Sequence, residues 1–519
     1  MTIARTPLFF GRDDRSLFGW IHTAETYGDL AVVICPPFGH EYVSSHRSVR
    51  HLADALARNG VPAMRFDYDG TGDSAGSDHD PDRVAAWRES IRTAMRTLRE
   101  TTGCTRIGLA GIRLGATLAA TVAAEEEVAC LVLWGPVRGR QYLRELKALQ
   151  LVGGGASDVF EPGGFFMGDA TQQDVTRLDF AGLALKVDNV FTVPAPPEMF
   201  APPHAAVVPF DVISRIVETM ECRGRSRRFP SGGHSRRTPK ESIQHTNGIF
   251  GILTHGRSDA PLIVLPNAGA THHVGPNRLY VFLARALADA GFRVLRFDLP
   301  GLGDSVIDDV EQENDAYLPS TTFVIQSVIG DEKAIVAGLC SGAHAAFHAA
   351  LELPNAPIVE SILINPLTFY YKRGMSLEQP LKQFGEWQWY MRSMRRRDRW
   401  AKLLRGEVRI ADIARVAFRR FRAGIARNSD NLGRDLHRIV ESGRYVTFVF
   451  SRFDPGYDLL MHSAASEVRQ LCSRHRMALW RISDADHTFE AKRSRDAMIE
   501  SVVRHLRDRY LTSSAAQSR

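Results

Sequence analysis

The chain contains the same stretch of sequence twice, and this duplication limits its fold more than any other feature. Residues 66–74 read Phe-Asp-Tyr-Asp-Gly-Thr-Gly-Asp-Ser, and residues 297–305 read Phe-Asp-Leu-Pro-Gly-Leu-Gly-Asp-Ser, at an offset of 231 residues. A second pair of segments, 111–116 and 338–343, repeats at an offset of 227 residues. Two homologous domains in tandem explain these matches better than chance does.

Both halves alternate short apolar runs with amphipathic segments. The runs begin at Ala31, Ala63, Ile107 and Cys130 in the first half, and at Leu262, Val294, Ala334, Ser361, Val446 and Ala478 in the second. Amphipathic helical patterns lie between several of them. This alternation predicts the α/β class, with a mostly parallel sheet flanked by helices in each half.

The length of the chain also favours more than one domain, because 519 residues are too many for one ordinary core. We predict a first domain at 1–221 and a second at 247–519. The segment 222–246 is rich in Arg, Ser, Gly and Pro and poor in apolar residues, which is typical of a basic, flexible linker. A solvated tether is favoured over a functional use of its charge.

The overall composition is that of a globular protein, with 44% hydrophobic and 24% charged residues. The six cysteines form no C-x-x-C pair and no metal-ligand spacing, so we expect a reducing compartment and neither cofactor nor metal. No apolar run approaches the roughly 18 residues of a membrane span, and no leader pattern opens the sequence. We therefore expect a cytoplasmic protein without a membrane partner.

Residues 338–342 read Gly-Leu-Cys-Ser-Gly between an apolar run and a small-residue helix. A strand that turns sharply into a helix holds the middle residue in a strained conformation and needs small residues on either side. The helix start would also favour a thiolate, so Cys340 is the candidate nucleophile. Two alternatives remain: Cys340 could be a buried, inert thiol, or Ser341 could be the nucleophile although it lies one position past the apex.

Two later residues could complete a catalytic set. Asp454 follows the apolar run that begins at Val446, and His487 follows the last predicted strand. Asp458, one helical turn after Asp454, is an alternative carboxylate that could instead act as an N-terminal helix charge. His272 and His273 follow the first strand of the second half and are interpreted as ordinary loop histidines, with a substrate contact as the alternative.

The strand-to-helix turn at Cys340, which we call the elbow, and the Gly-x-Gly-Asp-Ser turn resemble those of an α/β-hydrolase. The chain order Cys340, Asp454, His487 fits the same resemblance, which covers essentially all of the second half. The resemblance implies that Cys340 attacks a carbonyl, that His487 takes and returns the proton, and that Asp454 orients the imidazole. The oxyanion would be bound by two backbone amides, one from Ser341 and the other from the loop after the first parallel strand, at Ala268.

Similar cysteine-bearing α/β-hydrolases include dienelactone hydrolases, polyhydroxyalkanoate synthases and bile-acid amino-acid acyltransferases, and the last two use coenzyme A thioesters. A cysteine forms a thioester that is readily loaded from another thioester and readily aminolysed. We therefore expect transfer from an acyl carrier protein or acyl-coenzyme A to a small-molecule amine, alcohol or water, in a biosynthetic pathway. The alternatives are a cysteine hydrolase of small esters or lactones and a non-catalytic assembly protein.

The segment at about 371–444 lies where the resembling fold inserts a helical lid, and it holds 19 basic and 8 acidic residues. Its aromatic residues, including Trp387 and Trp389, could cover an acyl pocket, or its apolar stripe could simply pack on the body. The cluster Arg395, Arg396 and Arg397 suits the phosphate of a carrier arm or of coenzyme A, with a solvated basic face as the alternative. Nucleic-acid binding is disfavoured because the basic residues accompany a catalytic core.

The first half is predicted to be a degenerate copy that lacks a nucleophile. At the position of Cys340 it carries Arg113, which can neither attack a carbonyl nor lose its proton. Arg113 could bind an anionic group, or it could pair with a carboxylate such as Asp73, and the pairing is favoured.

Overall fold

The computed structural model describes residues 2–152, 159–187, 189–220, 227–228, 238, 240–257, 259–307, 312–372, 375, 431–452 and 454–511. The chain divides into two compact units, one formed by Met1–Leu318 with Thr488–Arg519 and the other by Pro319–His487. Apart from the C-terminal end of the linker, the domain boundaries drawn from the sequence stay predictions. Among the described residues, no helix has both the length and the apolar character needed to cross a membrane.

The first half of the larger unit is built on a seven-stranded sheet in the order β1-β2-β4-β3-β5-β6-β7. The pairings of β1 with β2 and of β2 with β4 are antiparallel, and all the others are parallel. The strands are β1 (Ile3–Arg12), β2 (Arg15–Ala24), β3 (Leu30–Cys35), β4 (Ala63–Phe66), β5 (Arg106–Ile112), β6 (Leu131–Trp134) and β7 (Val190–Val193).

Helices cover both faces of this sheet. They are α1 (His40–Arg58), α2 (Arg83–Thr102), α3 (Leu114–Ala123), α4 (Gly139–Val152), α5 (Asp169–Arg177) and α6 (Phe210–Glu218). One buried cluster contains α2 with residues of β3 and β5, and another contains α1 and α6 with the alternate residues of the same strands. Strands β3 and β4 are buried along their whole length, as expected for parallel strands covered on both faces.

The larger unit also holds β8 (Glu241–Thr246), β9 (Ile249–Thr254), β10 (Leu262–Leu265) and β11 (Val294–Phe297), and α7 (Leu279–Asp289) lies between β10 and β11 in the chain. Strands β8, β9 and β11 pair antiparallel, whereas β10 and β11 are parallel. The prediction that the linker extends to residue 246 is therefore wrong, because residues 241–246 form β8. The two-residue turn Asn247-Gly248, with both φ angles positive, closes a hairpin between β8 and β9.

The described residues of the smaller unit include four parallel strands in the order β15-β14-β13-β12. They are β12 (Ala334–Leu339), β13 (Ile358–Ile364), β14 (Tyr445–Ser451) and β15 (Met477–Ile482). Its helices are α8 (Thr321–Ile329), α9 (Ser341–Glu352), α10 (Leu432–Glu441) and α11 (Pro455–Ser473). The last helix of the chain, α12 (Lys492–Tyr510), belongs to the larger unit.

Most of the segment predicted to form a lid lies outside the described residues, but its C-terminal end is described. Helix α10 buries Leu432, Leu436 and Ile439 in a cluster with α9, α11, β13 and β14. This part of the segment is thus a core helix of the smaller unit and not part of a lid. Its apolar stripe has the helical spacing that burial of one face requires.

The repeated turns exchange their aspartates between the two halves of the larger unit. Asp73, from the first repeat, forms an ion pair with Arg296 of β11, while Asp304, from the second repeat, forms an ion pair with Arg65 of β4. Arg65 and Arg296 are themselves related by the offset of 231 residues. All four side chains are buried, and His273 adds a second contact to Asp73, with its Nε2 2.6 Å from the carboxylate. We call these residues the reciprocal ion pairs.

Each turn is held by the same hydrogen bonds, which explains why both copies keep the same residues. The first aspartate accepts the backbone amide of the last one, at 2.8 Å from Asp73 to Asp67 and at 3.0 Å from Asp304 to Asp298. A Cβ on Gly72 would lie 2.0 Å from the Asp67 carboxylate, so only glycine allows this close approach.

Candidate active site

The backbone at Cys340 has the strained geometry that the sequence predicts. Cys340 has φ 58° and ψ −115°, lies between β12 and α9, and donates its amide to the Ile364 carbonyl at 3.0 Å. A Cβ on Gly338 would lie only 2.4 Å from the backbone of Gly342, which explains the small residue on each side of the apex. The turn therefore presents Cys340 in a conformation that few side chains adopt.

The structure brings Asp454 and His487 together. Asp454 is buried at the start of α11, where one carboxylate oxygen accepts the Gly456 amide at 2.8 Å. Its other oxygen lies 2.6 Å from Nδ1 of His487. Asp458, the alternative carboxylate, is exposed one turn later on α11. Of the two, Asp454 is the carboxylate that orients the imidazole.

The electrostatics of His487 favour its protonated form. Burial opposes a positive charge, but the hydrogen bond to Asp454 and the neighbouring Cys340 side chain outweigh it and raise the pKa of His487 to about 10. Nε2, the ring nitrogen opposite Asp454, has no hydrogen-bond partner among the described residues. With Nδ1 donating to Asp454, Nε2 is the atom that can exchange a proton with a reacting group.

Asn365 positions the loop that carries His487, and the sequence analysis did not identify it. This residue follows β13, has φ 44° and is fully buried. Its Nδ2 donates to the His487 carbonyl at 2.8 Å, and its Oδ1 accepts the Ser451 amide at 2.8 Å. Asn365 therefore ties the histidine loop to the end of β14. The signal available in the sequence was the position of an amide residue directly after a buried strand.

The other described cysteines differ from Cys340 in their surroundings. Cys35, Cys104 and Cys130 are buried, whereas Cys340 and Cys472 are half-buried. Burial raises the pKa of the Cys130 thiol to about 11 and that of Cys35 still further, which disfavours the reactive thiolate. Burial also raises the pKa of Cys472. Position and surroundings thus single out Cys340.

Of the two predicted oxyanion amides, that of Ser341 begins α9 directly after the apex. Ala268 lies in the loop after β10, in the larger unit, so its role stays a prediction. Five residues named from the sequence lie outside the described residues: Trp387, Trp389, Arg395, Arg396 and Arg397.

His272 and His273 are not ordinary loop histidines, since both are buried. His273 lies between two carboxylates, with Nε2 2.6 Å from Asp73 and Nδ1 2.8 Å from Asp298. Burial lowers its pKa, but the two carboxylates prevail and raise it to about 10. His273 therefore belongs to the contact between the two repeats.

The first half keeps the elbow without the nucleophile. Arg113 has φ 56° and ψ −121°, close to the values at Cys340. Its guanidinium donates to Glu41 at 2.7 Å and also pairs with Glu145. The favoured interpretation of a structural pairing fits, but the suggested partner Asp73 is wrong, because Asp73 is engaged by Arg296 and His273.

Comparisons with known proteins agree with this architecture. A family model described as the alpha/beta hydrolase family matches residues 252–500, and a model described as serine aminopeptidase S33 matches residues 31–161. The two ranges fall in the two halves of the duplication. The chain is an α/β-hydrolase-fold protein with two such domains in tandem, and its fold is that of hydrolase-type enzymes. The predicted fold class is confirmed, apart from the lid.

Solved structures with hydrolase folds are similar only at a distance. A dienelactone hydrolase from Anabaena variabilis is 12% identical, covers 52% of this chain and 99% of its own, and has a TM-score of 0.31. The thioesterase domain from the curacin biosynthetic pathway is 16% identical, with coverage of 51% and 98% and a TM-score of 0.28. Mouse alpha/beta hydrolase domain-containing protein 10 is 13% identical, with coverage of 50% and 96% and a TM-score of 0.28. No curated protein matches the sequence significantly.

Proposed function

We propose that the protein takes an acyl group from a thioester onto Cys340 and transfers it to an amine, an alcohol or water. The observation that carries this proposal is the hydrogen bond of 2.6 Å between Asp454 and Nδ1 of His487. It leaves Nε2 for the thiol that the elbow presents, and the three residue types follow the order that acyl transfer on this fold uses.

The proposed reaction has two halves with a thioester intermediate. His487 Nε2 takes the thiol proton, and Sγ of Cys340 attacks the donor carbonyl carbon. When the tetrahedral intermediate collapses, the donor thiol leaves and receives the proton from His487. The acceptor then loses a proton to His487 as it attacks the acyl-enzyme, and the proton returns to the Cys340 sulfur that leaves. Asp454 stays ionised and stabilises the imidazolium in both halves.

A thioester donor is supported by the chemistry of sulfur. Exchange between two thioesters replaces one carbon–sulfur bond with another, so loading of Cys340 needs no large driving force. The donor would be an acyl carrier protein or acyl-coenzyme A, whose phosphate suits the arginines at 395–397. A small-molecule acceptor would complete the reaction in a biosynthetic pathway.

The test is intact-mass analysis of the full chain after incubation with acyl-coenzyme A and acyl-carrier-protein mixtures. We expect an acyl adduct on the wild type and none on Cys340→Ala. Cys472→Ala is the matched control, since it removes the other half-buried cysteine and should leave the adduct unchanged. An adduct that persists in Cys340→Ala would overturn the assignment of the nucleophile.

The mass analysis, combined with an assay of ester and lactone hydrolysis, separates the alternative functions. Hydrolysis of small esters or lactones without any adduct from a thioester would replace the transferase by a cysteine hydrolase. Absence of both activities would leave a non-catalytic assembly protein.

The donor can be tested separately at the arginine cluster. Neutralising Arg395, Arg396 and Arg397 should raise KM for a carrier-borne donor and leave KM for a short synthetic thioester unchanged. Equal effects on both donors would remove the docking role of these arginines.

A further inference from the structure

The first half contains a cavity of about 70 Å³ at a position where open α/β sheets commonly bind ligands. It lies beyond the carboxyl ends of β3 and β4, where the turns 37–39 and 70–72 form part of its wall. Helix α2 contributes Trp87, and α4 contributes Tyr142 and Leu146. The second repeat closes one side with residues at the start of α7.

The walls of this cavity are mainly apolar, and their aromatic side chains pack against one another. The Phe38 ring lies 4.4 Å from that of Trp87 and 4.5 Å from that of Tyr68, measured between ring centroids. Phe38, Trp87 and Tyr142 are each buried. A surface of this kind recognises a ligand by apolar contact and needs little rearrangement to do so.

The three charged side chains in the lining already have hydrogen-bond partners within the protein. Arg278 donates to the carbonyls of Gly70 and Gly72 at 2.8 Å each. Arg83 pairs with Asp69 at 2.6 Å, and Asp78 accepts the Phe166 amide at 3.1 Å. A charged ligand group would have to lose its hydration and displace one of these hydrogen bonds to gain a partner, which is unfavourable.

Because the elbow of the first half lacks a nucleophile, a ligand bound in this cavity would not form a covalent bond there. Arg113, at the apex, does not line the cavity and is held by Glu41 and Glu145. The first half thus keeps a pocket at the carboxyl ends of its strands but has no nucleophile at the apex of its strand-to-helix turn.

We propose that this cavity binds a short, uncharged alkyl group. Its volume of about 70 Å³ is roughly half that of an engineered cavity of about 150 Å³ that binds benzene, which commits the proposal to a chain of about three or four carbons. The cavity lies within the larger unit, so its occupation does not depend on the chemistry proposed for Cys340. Because Val274 and Phe282 of the second repeat line it, a bound chain contacts both repeats and stabilises their association.

The test measures binding of butanamide to the full chain by calorimetry and by ligand-observed NMR. We expect butanamide to bind at least about tenfold more tightly than butyrate or butylammonium, because the charged analogues would lose hydration and would have to displace existing hydrogen bonds of the lining. Butanamide should also raise the melting temperature, and the rise should continue with the logarithm of its concentration above Kd.

Filling the cavity gives the decisive comparison. Leu146→Phe and Val43→Phe each place a ring in the space and should weaken butanamide binding at least about tenfold. The matched control is Leu151→Phe on the same helix, α4, where the native side chain is 78% exposed and the change should have no effect. Two different filling variants guard against a folding defect, which the far-ultraviolet spectrum and the melting temperature would reveal.

The outcomes that would overturn the proposal are equally definite. Absence of butanamide binding would refute it. Binding that both filling variants leave intact would place the ligand elsewhere, and equal affinity for butyrate would refute the requirement for an uncharged chain.

Discussion

Removing one carboxylate from the reciprocal ion pairs should destabilise the larger unit strongly. Asp73→Asn removes a buried carboxylate that pairs with both Arg296 and His273 and leaves the fully buried Arg296 guanidinium with Glu241 alone. Breaking one partner of a buried pair costs about 3–5 kcal/mol. The unit contains about 350 residues, for which an unfolding entropy of about 2.1 cal/mol/K per residue converts that cost to a fall of roughly 4–7 °C in melting temperature.

The pseudo-symmetry supplies a second measurement and a control. Asp304→Asn removes the equivalent partner of Arg65 and should lower the melting temperature by a similar amount. Asp14→Asn removes a carboxylate from an exposed pair with Arg12 and should leave it unchanged. Calorimetric scans of the three full-length variants provide the comparison. If Asp73→Asn lowers the melting temperature by no more than Asp14→Asn does, the buried charges do not hold the repeats together.

Three further predictions concern the site and its surroundings. Asn365→Asp, which loses the donor to the His487 carbonyl, should lower kcat for acyl transfer about 10- to 100-fold. KM should change little and the pH profile should shift, whereas proportional loss of folded protein would indicate a purely structural role. The folded-state pKa of His273 is raised to about 10, so its stabilisation is complete below pH 6.5 and is lost as the pH rises through 10. Chemical unfolding between pH 6 and 10 should show this loss, and His273→Gln should flatten it; an unchanged slope would contradict the assignment. Arg113→Ala should leave acylation of Cys340 unchanged by mass analysis, while the unpaired buried Glu41 lowers stability by about 1–3 kcal/mol, and a loss of acylation would give Arg113 a functional role.

The buried strands and the elbow could be predicted from the sequence, because their signals are local. The run from Ala63 forms β4 and the run from Leu262 forms β10, and each strand begins where the sequence indicates. Such continuous apolar runs are typical of parallel strands covered on both faces. The conformation of Cys340 was also predictable, since a sharp strand-to-helix turn requires small residues such as Gly338 and Gly342 on either side of its apex.

The partners of the buried charges could not be predicted in the same way. Asp73 and Arg296 are 223 positions apart. No periodicity within either repeat indicates that its carboxylate pairs with an arginine of the other repeat. Asn365 was missed because its two contacts reach residues more than 80 positions further along the chain. The hairpin at Asn247-Gly248 did carry a local signal, but the polar character of the residues before it resembled that of the linker.

The exchange of aspartates between the repeats gives the first half a reason to persist after the loss of its nucleophile. A mutation that discards the first repeat would remove one of the two carboxylates that Arg296 contacts, and one of the two that His273 contacts, at the same moment. Selection for a folded second repeat therefore preserves the first as well, whatever its own chemistry has become. Compensating substitutions should likewise pair a position in one repeat with a position in the other, so that the two copies diverge in sequence as a single inherited unit.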